Sequence, residues 1–447
     1  MRKIALVALG CLFLLAARHR AITPPKTTSI DVRRSLVITD PAILEGFDFQ
    51  RVLQALIDRG GTTATTPLSL YRQWFDTQNP KPGLAVADAP HCDDFWTDGK
   101  PSFNGFPRRC PTPEGALATS DPFTAHDYTP IGITNRFDLT PVDGATCGQY
   151  RIIYAKTTAS AGNKLHVIFE AVLPNPAPQL GAQGCRGVAQ FWADLSSIES
   201  ATERRARLER FFFDGIPGFA PVLHPNHFTA ESTGRIRTLH QAVSPRFYQF
   251  HLLKSGARLL VVPGLLENQP HGSLFNAGSG APLGAEFRQF FLSQVATLAV
   301  RDVNGFFNRI PEKFLMAESN PDEIPPAFVS QPPFQAGLNT ADGLAFNGAL
   351  IAELARIGSN LAVRDLLVRS DFQNCHGCHF GSGNIGDGLT FAGGLQGTHL
   401  DEQFGASPTL MQNFAPNRAK ILRDFLSGAP LPVHSNGGTL GGGRTSD

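Results

Sequence analysis

Glycine and proline are scattered so densely along this chain, 44 and 34 of its 447 residues, that helices longer than a few turns are repeatedly interrupted. Short elements joined by long loops follow, which sets aside a coiled coil or a helical solenoid. With 42% apolar residues the chain can build a substantial core, and its length corresponds to two or three domains. Lysine plus arginine (39) nearly cancels aspartate plus glutamate (38), and neither sign forms a long block, so no nucleic-acid partner is expected. The 34 phenylalanines are then core residues rather than platforms for stacked bases.

At the N-terminus, Arg2 and Lys3 precede an apolar run from Ile4 to Ala17 that Arg18, His19 and Arg20 close, the pattern of an export signal over residues 1–20. The run is too short to span a bilayer and no later stretch reaches about 18 apolar residues, so no transmembrane span and a periplasmic or extracellular location are expected. Ala8-Leu9-Gly10-Cys11 is similar to a bacterial lipoprotein box, which would add a lipid anchor at Cys11; otherwise Cys11 leaves with the signal. Of the remaining cysteines, Cys375 and Cys378 belong to a motif taken up below. Cys92, Cys110, Cys147 and Cys185 form an even set in an exported chain, which reads as a disulfide framework. Three pairings exist, and the sequence-nearest one, Cys92 with Cys110 and Cys147 with Cys185, is the expectation.

Along the chain, a strand-like run at Ser35 to Thr39 precedes a helix from about Asp48 to Arg59, stopped by Gly60 and Gly61, and a second helix starting at Pro67. The segment from Gly83 to about Gly132 is mostly turn chemistry. Tyr150 to Ala155 and Leu165 to Leu173 read as paired antiparallel strands, and Phe247 to Leu253 and Leu259 to Pro263 fit further strands. Helices are expected around Val188 to Leu195, over Ala201 to Phe213 and over Ala285 to Ala299. Residues 35–330 therefore form a large mixed body of the α+β class. A proline-rich stretch from Pro321 to Pro333 is read as a linker to a small all-α domain over 342–428, followed by a glycine-rich flexible tail over 429–447.

Within the small domain stands Cys375-His376-Gly377-Cys378-His379. The C-x-x-C-H spacing is the attachment signature of haem c: two thiols reach one edge of the porphyrin to form thioethers, and the next histidine lies under the iron. Composition alone would produce about 0.003 such matches in a chain like this. A disulfide between the two thiols, or zinc held with His379 and a fourth ligand, are the other readings. A helix before the motif carrying Leu361, Leu366 and Val368 and one after it carrying Ile421, Leu422 and Phe425 can wall a pocket.

Helix, C-x-x-C-H, glycine-rich loop and closing helix, in this order, resemble a class I c-type cytochrome domain over about 342–428. The resemblance implies Cys375 and Cys378 as covalent attachment points for one haem and His379 as its proximal ligand. It places the sixth ligand on a methionine shortly before the last helix, where Met411 stands; His399 is the alternative, and an open position the third possibility.

In the large body, Asn135-Arg136-Phe137-Asp138-Leu139-Thr140-Pro141, Cys147-Gly148-Gln149-Tyr150-Arg151 and Phe213-Asp214-Gly215-Ile216-Pro217-Gly218 resemble a set of exported bacterial proteins of unassigned activity that also end in C-x-x-C-H. Asp138, Asp143, Glu170 and Asp214 lack catalytic spacing and read as turn caps and surface charge. His224 and His227 form a candidate metal pair, and no hydrolase, phosphate-loop or dinucleotide motif is present. The functional expectation is an exported monohaem c-type cytochrome that passes single electrons to or from a redox partner protein or a small-molecule donor or acceptor. A haem-dependent oxidase or peroxidase-like enzyme, with substrate held by the large body, is the alternative. A cell-surface binding protein with zinc or a disulfide at the motif is the second alternative.

Overall fold

The computed structural model describes residues 29–156, 164–241, 246–276, 280–305, 308–319, 341–373, 386, 388 and 400–432. The fold is α+β, as its sequence pattern predicts. Its centre is a seven-stranded antiparallel sheet, ordered β1 (Val37–Ile38), β5 (Tyr128–Arg136), β6 (Thr146–Lys156), β7 (Lys164–Pro174), β8 (Arg235–Gln241), β9 (Arg246–Ser255) and β10 (Arg258–Gly264). A small sheet of β2 (Trp96–Thr97), β3 (Lys100–Phe103) and β4 (Phe106–Pro107) lies in the loop between. β6 pairs with β7, as expected, and the two further expected strands, β9 and β10, pair with each other, whereas β5 and β8 were not anticipated.

Because side chains alternate along a strand, the sheet has two distinct faces. One is apolar: Ile133, Tyr150, Ile152, Tyr154, Val167, Phe169, Ile236 and Phe250 all belong to the main core. It is covered by α3 (Phe49–Gly60), α4 (Pro67–Asp76) and α5 (Arg186–Leu195), while α1 (Val32–Ser35), α2 (Pro41–Leu44) and α6 (Ala201–Glu209) complete this side. α3 starts where the Asp48 carboxylate accepts the Arg51 amide and stops where Gly61 takes φ 60°, a left-handed conformation that suits glycine. α4 starts with a capping box between Thr66 and Ser69 and Pro67 in its first turn, and it buries Leu70, Tyr71, Trp74 and Phe75. Trp192 of α5 stacks on Tyr150 with ring centroids 5.6 Å apart, a contact worth about 0.5–1.5 kcal/mol beyond area burial. The opposite face of the sheet is polar and equally buried, and is described below.

Both expected disulfides are present, Cys92–Cys110 and Cys147–Cys185. The second sits beside a register shift in β6 between Thr146 and Gln149. Gly148 occupies that bulge at φ 82°, and a Cβ there would lie 2.6 Å from the Arg136 carbonyl oxygen and 2.9 Å from Phe137 Cα. Gly148→Ala should therefore destabilise by about 2 kcal/mol or more, read as a lower urea midpoint, with an unchanged midpoint refuting the close approach.

The predicted helix over Ala285–Ala299 divides into α7 (Gly284–Ser293) and α8 (Val295–Leu298). α9 (Ala341–Arg356) and α10 (Val363–Phe372) pack on these two, forming a second apolar cluster with Phe287, Phe291, Leu298, Leu350, Leu366 and Leu367. α11 (Ala415–Leu426) goes elsewhere, against α5 and the Phe137–Leu139 turn, where Phe425 meets Phe137 at 4.9 Å. Among the described residues, the helices of 342–428 thus share their cores with the large body. The proline-rich stretch says nothing about which apolar surface a later helix will meet, which is why the sequence suggested a separate unit. The signal, residues 321–333 and nearly all of the glycine-rich tail lie outside the described residues.

Candidate functional site

Cys375, Cys378, His379 and the alternative ligand His399 lie outside the described residues, but the chain on either side of them is described. On the N-terminal side, the last turn of α10 is held by buried groups. Asn308 donates from its amide to Gln373 Oε1 at 2.8 Å and from Nδ2 to Ser370 Oγ at 2.6 Å. Arg369 donates to the carbonyls of Leu298 (2.9 Å), Val300 (2.7 Å) and Gly386 (3.4 Å). Two residues before Cys375 the backbone is therefore fixed.

On the C-terminal side, Leu400 packs over Gly132 of β5, a position where any Cβ would collide with the leucine methyl. Glu402 accepts from Lys164 Nζ at 3.0 Å and lies 3.4 Å from His166 Nε2, both on β7. Burial raises the Glu402 carboxyl, but its backbone hydrogen bond and the neighbouring Lys164 and His166 outweigh burial and hold it below the usual range. Met411 lies half-buried in a π-turn, Leu410–Phe414, at the rim of the main apolar core.

Gly132 pairs with Ile153, and Lys164 and His166 alternate with the core residues Leu165 and Val167, so Leu400 and Glu402 contact the second face of the sheet. That face carries an arginine layer. Arg151, Glu170, Arg235, Arg237 and Gln249 are neighbours through direct register pairs across β6, β7, β8 and β9. Glu170 is fully buried at its centre, with Arg235 Nε at 3.2 Å, Arg237 Nη1 at 3.5 Å and Arg151 Nε at 3.6 Å. Glu267 closes the layer by pairing with Arg235 and Arg237. Burial alone would raise Glu170, yet the surrounding arginines hold it below the usual carboxylate range. Burial pushes Arg151 down to about 9 despite Glu170, helped by Arg136, Arg237 and Arg235. The strap that follows Glu267 leads back toward the motif: Ile310 donates to Asn268 Oδ1 at 3.1 Å, and Asn308 holds Gln373.

A second buried group adjoins it. Arg136 grips Asp138 through Nε–Oδ1 at 3.0 Å and Nη2–Oδ2 at 2.9 Å, and Arg418 of α11 brings Nε to 3.9 Å from Oδ2. Burial, then the neighbouring Arg136, pull Arg418 well down, with Asp138 opposing. The Asn135–Pro141 block is thus a lock for the C-terminal helix.

These observations correct the reading of the acids. Glu170 and Asp138 are interior ion-pair centres, not surface charge, because the strand and turn that carry them are buried on both sides. Asp143 caps a turn through the Ala145 amide and Asp214 is exposed, as expected. The histidine pair serves the backbone: His224 Nδ1 accepts from the Asn226 amide and His227 Nδ1 faces the Val222 carbonyl at 3.1 Å. Burial pushes His227 down to about 4. Among the described residues no group of three or more histidine, cysteine or acidic side chains could hold a metal, and no helix is long and apolar enough to cross a membrane. No family model, curated protein or solved structure matches the chain.

Proposed function

We propose that this chain is an exported c-type cytochrome that holds one haem covalently through Cys375 and Cys378, with His379 as axial ligand, and passes single electrons. The observation that carries the reading is the C-x-x-C-H spacing, whose chance occurrence is negligible at this cysteine content.

The donor set of this chain fits the group. Four of the seven cysteines are consumed by the two disulfides, so they are not available to pair with the motif thiols. Disulfides of this kind form in oxidising compartments, where covalent haem attachment also takes place. A porphyrin brings two carboxylates, and the sheet face that meets Leu400 and Glu402 is rich in buried guanidinium groups. Arg235 Nη2 makes no hydrogen bond there among the described residues. When bound, the group supplies a one-electron iron couple whose potential depends on the second axial ligand and on burial. For that ligand, Met411 and His399 are the two candidates, with an open position as the third possibility. The chain's own task would be to hold the imidazole and the thiols in place, and the Asn308–Gln373 and Glu402–His166 contacts that fix the described chain on either side of the motif support this.

The test is to export the full chain from a host competent for haem attachment. Purified protein should remain red through denaturing electrophoresis and give a c-type spectrum in the reduced pyridine adduct, with one iron per chain. Cys375→Ala with Cys378→Ala should abolish both. A colourless chain, or one holding zinc in place of iron, refutes the reading. In the reduced protein, carbon monoxide binding would mark an open sixth position and the enzymatic alternative.

A further inference from the structure

On the apolar face of the sheet, one acid is buried where acids are rare. Glu114, in the 3-10 turn Pro113–Thr119, is 2% exposed. Both of its carboxyl oxygens lie against a single side chain, the Thr238 hydroxyl of β8, at 2.8 and 3.1 Å. Among the described residues it forms no ion pair. The titratable groups facing it are phenols: Tyr71 of α4, Tyr128 of β5 and Tyr248 of β9, each pushed up by burial and so neutral. Farther out are acids, Asp127 beside Tyr128, Asp76 at the end of α4, and Glu318 beside Tyr248. The nearby cations are engaged elsewhere: Lys156 pairs with Asp127 at 3.0 Å, and Arg108 and Arg246 face Glu318.

A carboxylate in such surroundings is strongly disfavoured, whereas a carboxylic acid can satisfy itself against one hydroxyl. We propose that Glu114 is a buried proton-binding site whose protonated form docks the Pro113–Thr119 turn on the sheet and whose ionisation releases it. This turn closes the lobe that Cys92–Cys110 cross-links, and Thr112 at its start donates its amide to the Gln78 carbonyl at the end of α4. The controlled motion would be that of the lobe edge against α4 and β8.

Burial pushes this carboxyl up to about 8, opposed by the Thr238 hydrogen bond. The folded state therefore keeps a proton that the unfolded chain releases near the ordinary glutamate value of 4.5. Stability is fully present below that value, falls as pH rises from it, and levels off above about 8. Across this window the unfolding constant of the wild type should rise on the order of a thousandfold relative to Glu114→Gln. Infrared titration of the full chain should show a protonated-carboxyl band lost near pH 8 and missing from Glu114→Gln. Amide exchange at residues 113–120 should accelerate over the same range only in the wild type. If Glu114→Gln does not fold, Thr238→Val, which removes the one partner, should move the infrared midpoint upward. A transition near pH 8 that persists in Glu114→Gln assigns it to Glu318 and overturns the proposal, as does an unmoved midpoint in Thr238→Val.

Discussion

Glu170→Gln should destabilise the protein by about 3–5 kcal/mol, the cost of breaking a buried charge cluster by removing one sign only. The side chain would keep its shape and an acceptor oxygen but lose the charge that Arg151, Arg235 and Arg237 share. Three guanidiniums in a poorly solvated layer would then repel one another, with Glu267 left to compensate at one edge. Since single domains are stable by only about 5–15 kcal/mol, much of the fold's margin is at stake. Urea unfolding at neutral pH measures it, and a loss under about 1 kcal/mol would show that the arginines do not depend on this acid. The pH dependence has a definite sign. The folded carboxyl titrates below its ordinary value, so its contribution is complete at neutral pH and disappears as acid brings the pH down through the depressed value. Glu170→Gln should accordingly be the less acid-sensitive protein.

The second large effect concerns Cys147–Cys185, whose partners are 38 residues apart. By the loop-closure relation its removal should cost about 4 kcal/mol, against about 3 kcal/mol for Cys92–Cys110 with its separation of 18. The difference in kind should exceed that in magnitude. Cys147 and Cys185 are completely buried in the main core, at the β6 bulge and at the start of α5. Their replacement by serine should lower the global midpoint. Loss of Cys92–Cys110 should instead loosen the lobe of the small sheet, seen as faster amide exchange there with a nearly intact core. Equal midpoints for the Cys147→Ser, Cys185→Ser protein and the wild type would refute the ranking.

What could be read from residues alone was whatever depends on neighbours in the chain. Strands with one apolar face, such as Tyr150, Ile152 and Tyr154 on β6, declare themselves by alternation, and the caps of α3 and α4 by Asp48, Thr66 and Pro67. Nearest-neighbour cysteine pairing also held, because both loops are short. β5 was hidden by Pro130 and Gly132, and β8 by Arg235 and Arg237, which look like residues of an exposed edge. Their burial is set by Glu170, which is far away in sequence and has no local signature. Arg418 meeting Asp138 across two thirds of the chain is the same case. The single Arg235-Ile236-Arg237 on a short run with Ile236, Thr238 and Leu239 was the one available hint that a second, polar interior exists.

The lodging of α11 against Phe137 and α5 bears on how the molecule is made. α11 lies far beyond Phe137 in sequence, so the side of the core around α1 and Phe137 cannot close until that helix has been synthesised. Until then an oily seam and the Arg136–Asp138 pair stay open to water, which marks any product that stops before α11 as a target for proteases and chaperones. Synthesis of α11 and closure of this side of the interior are one event.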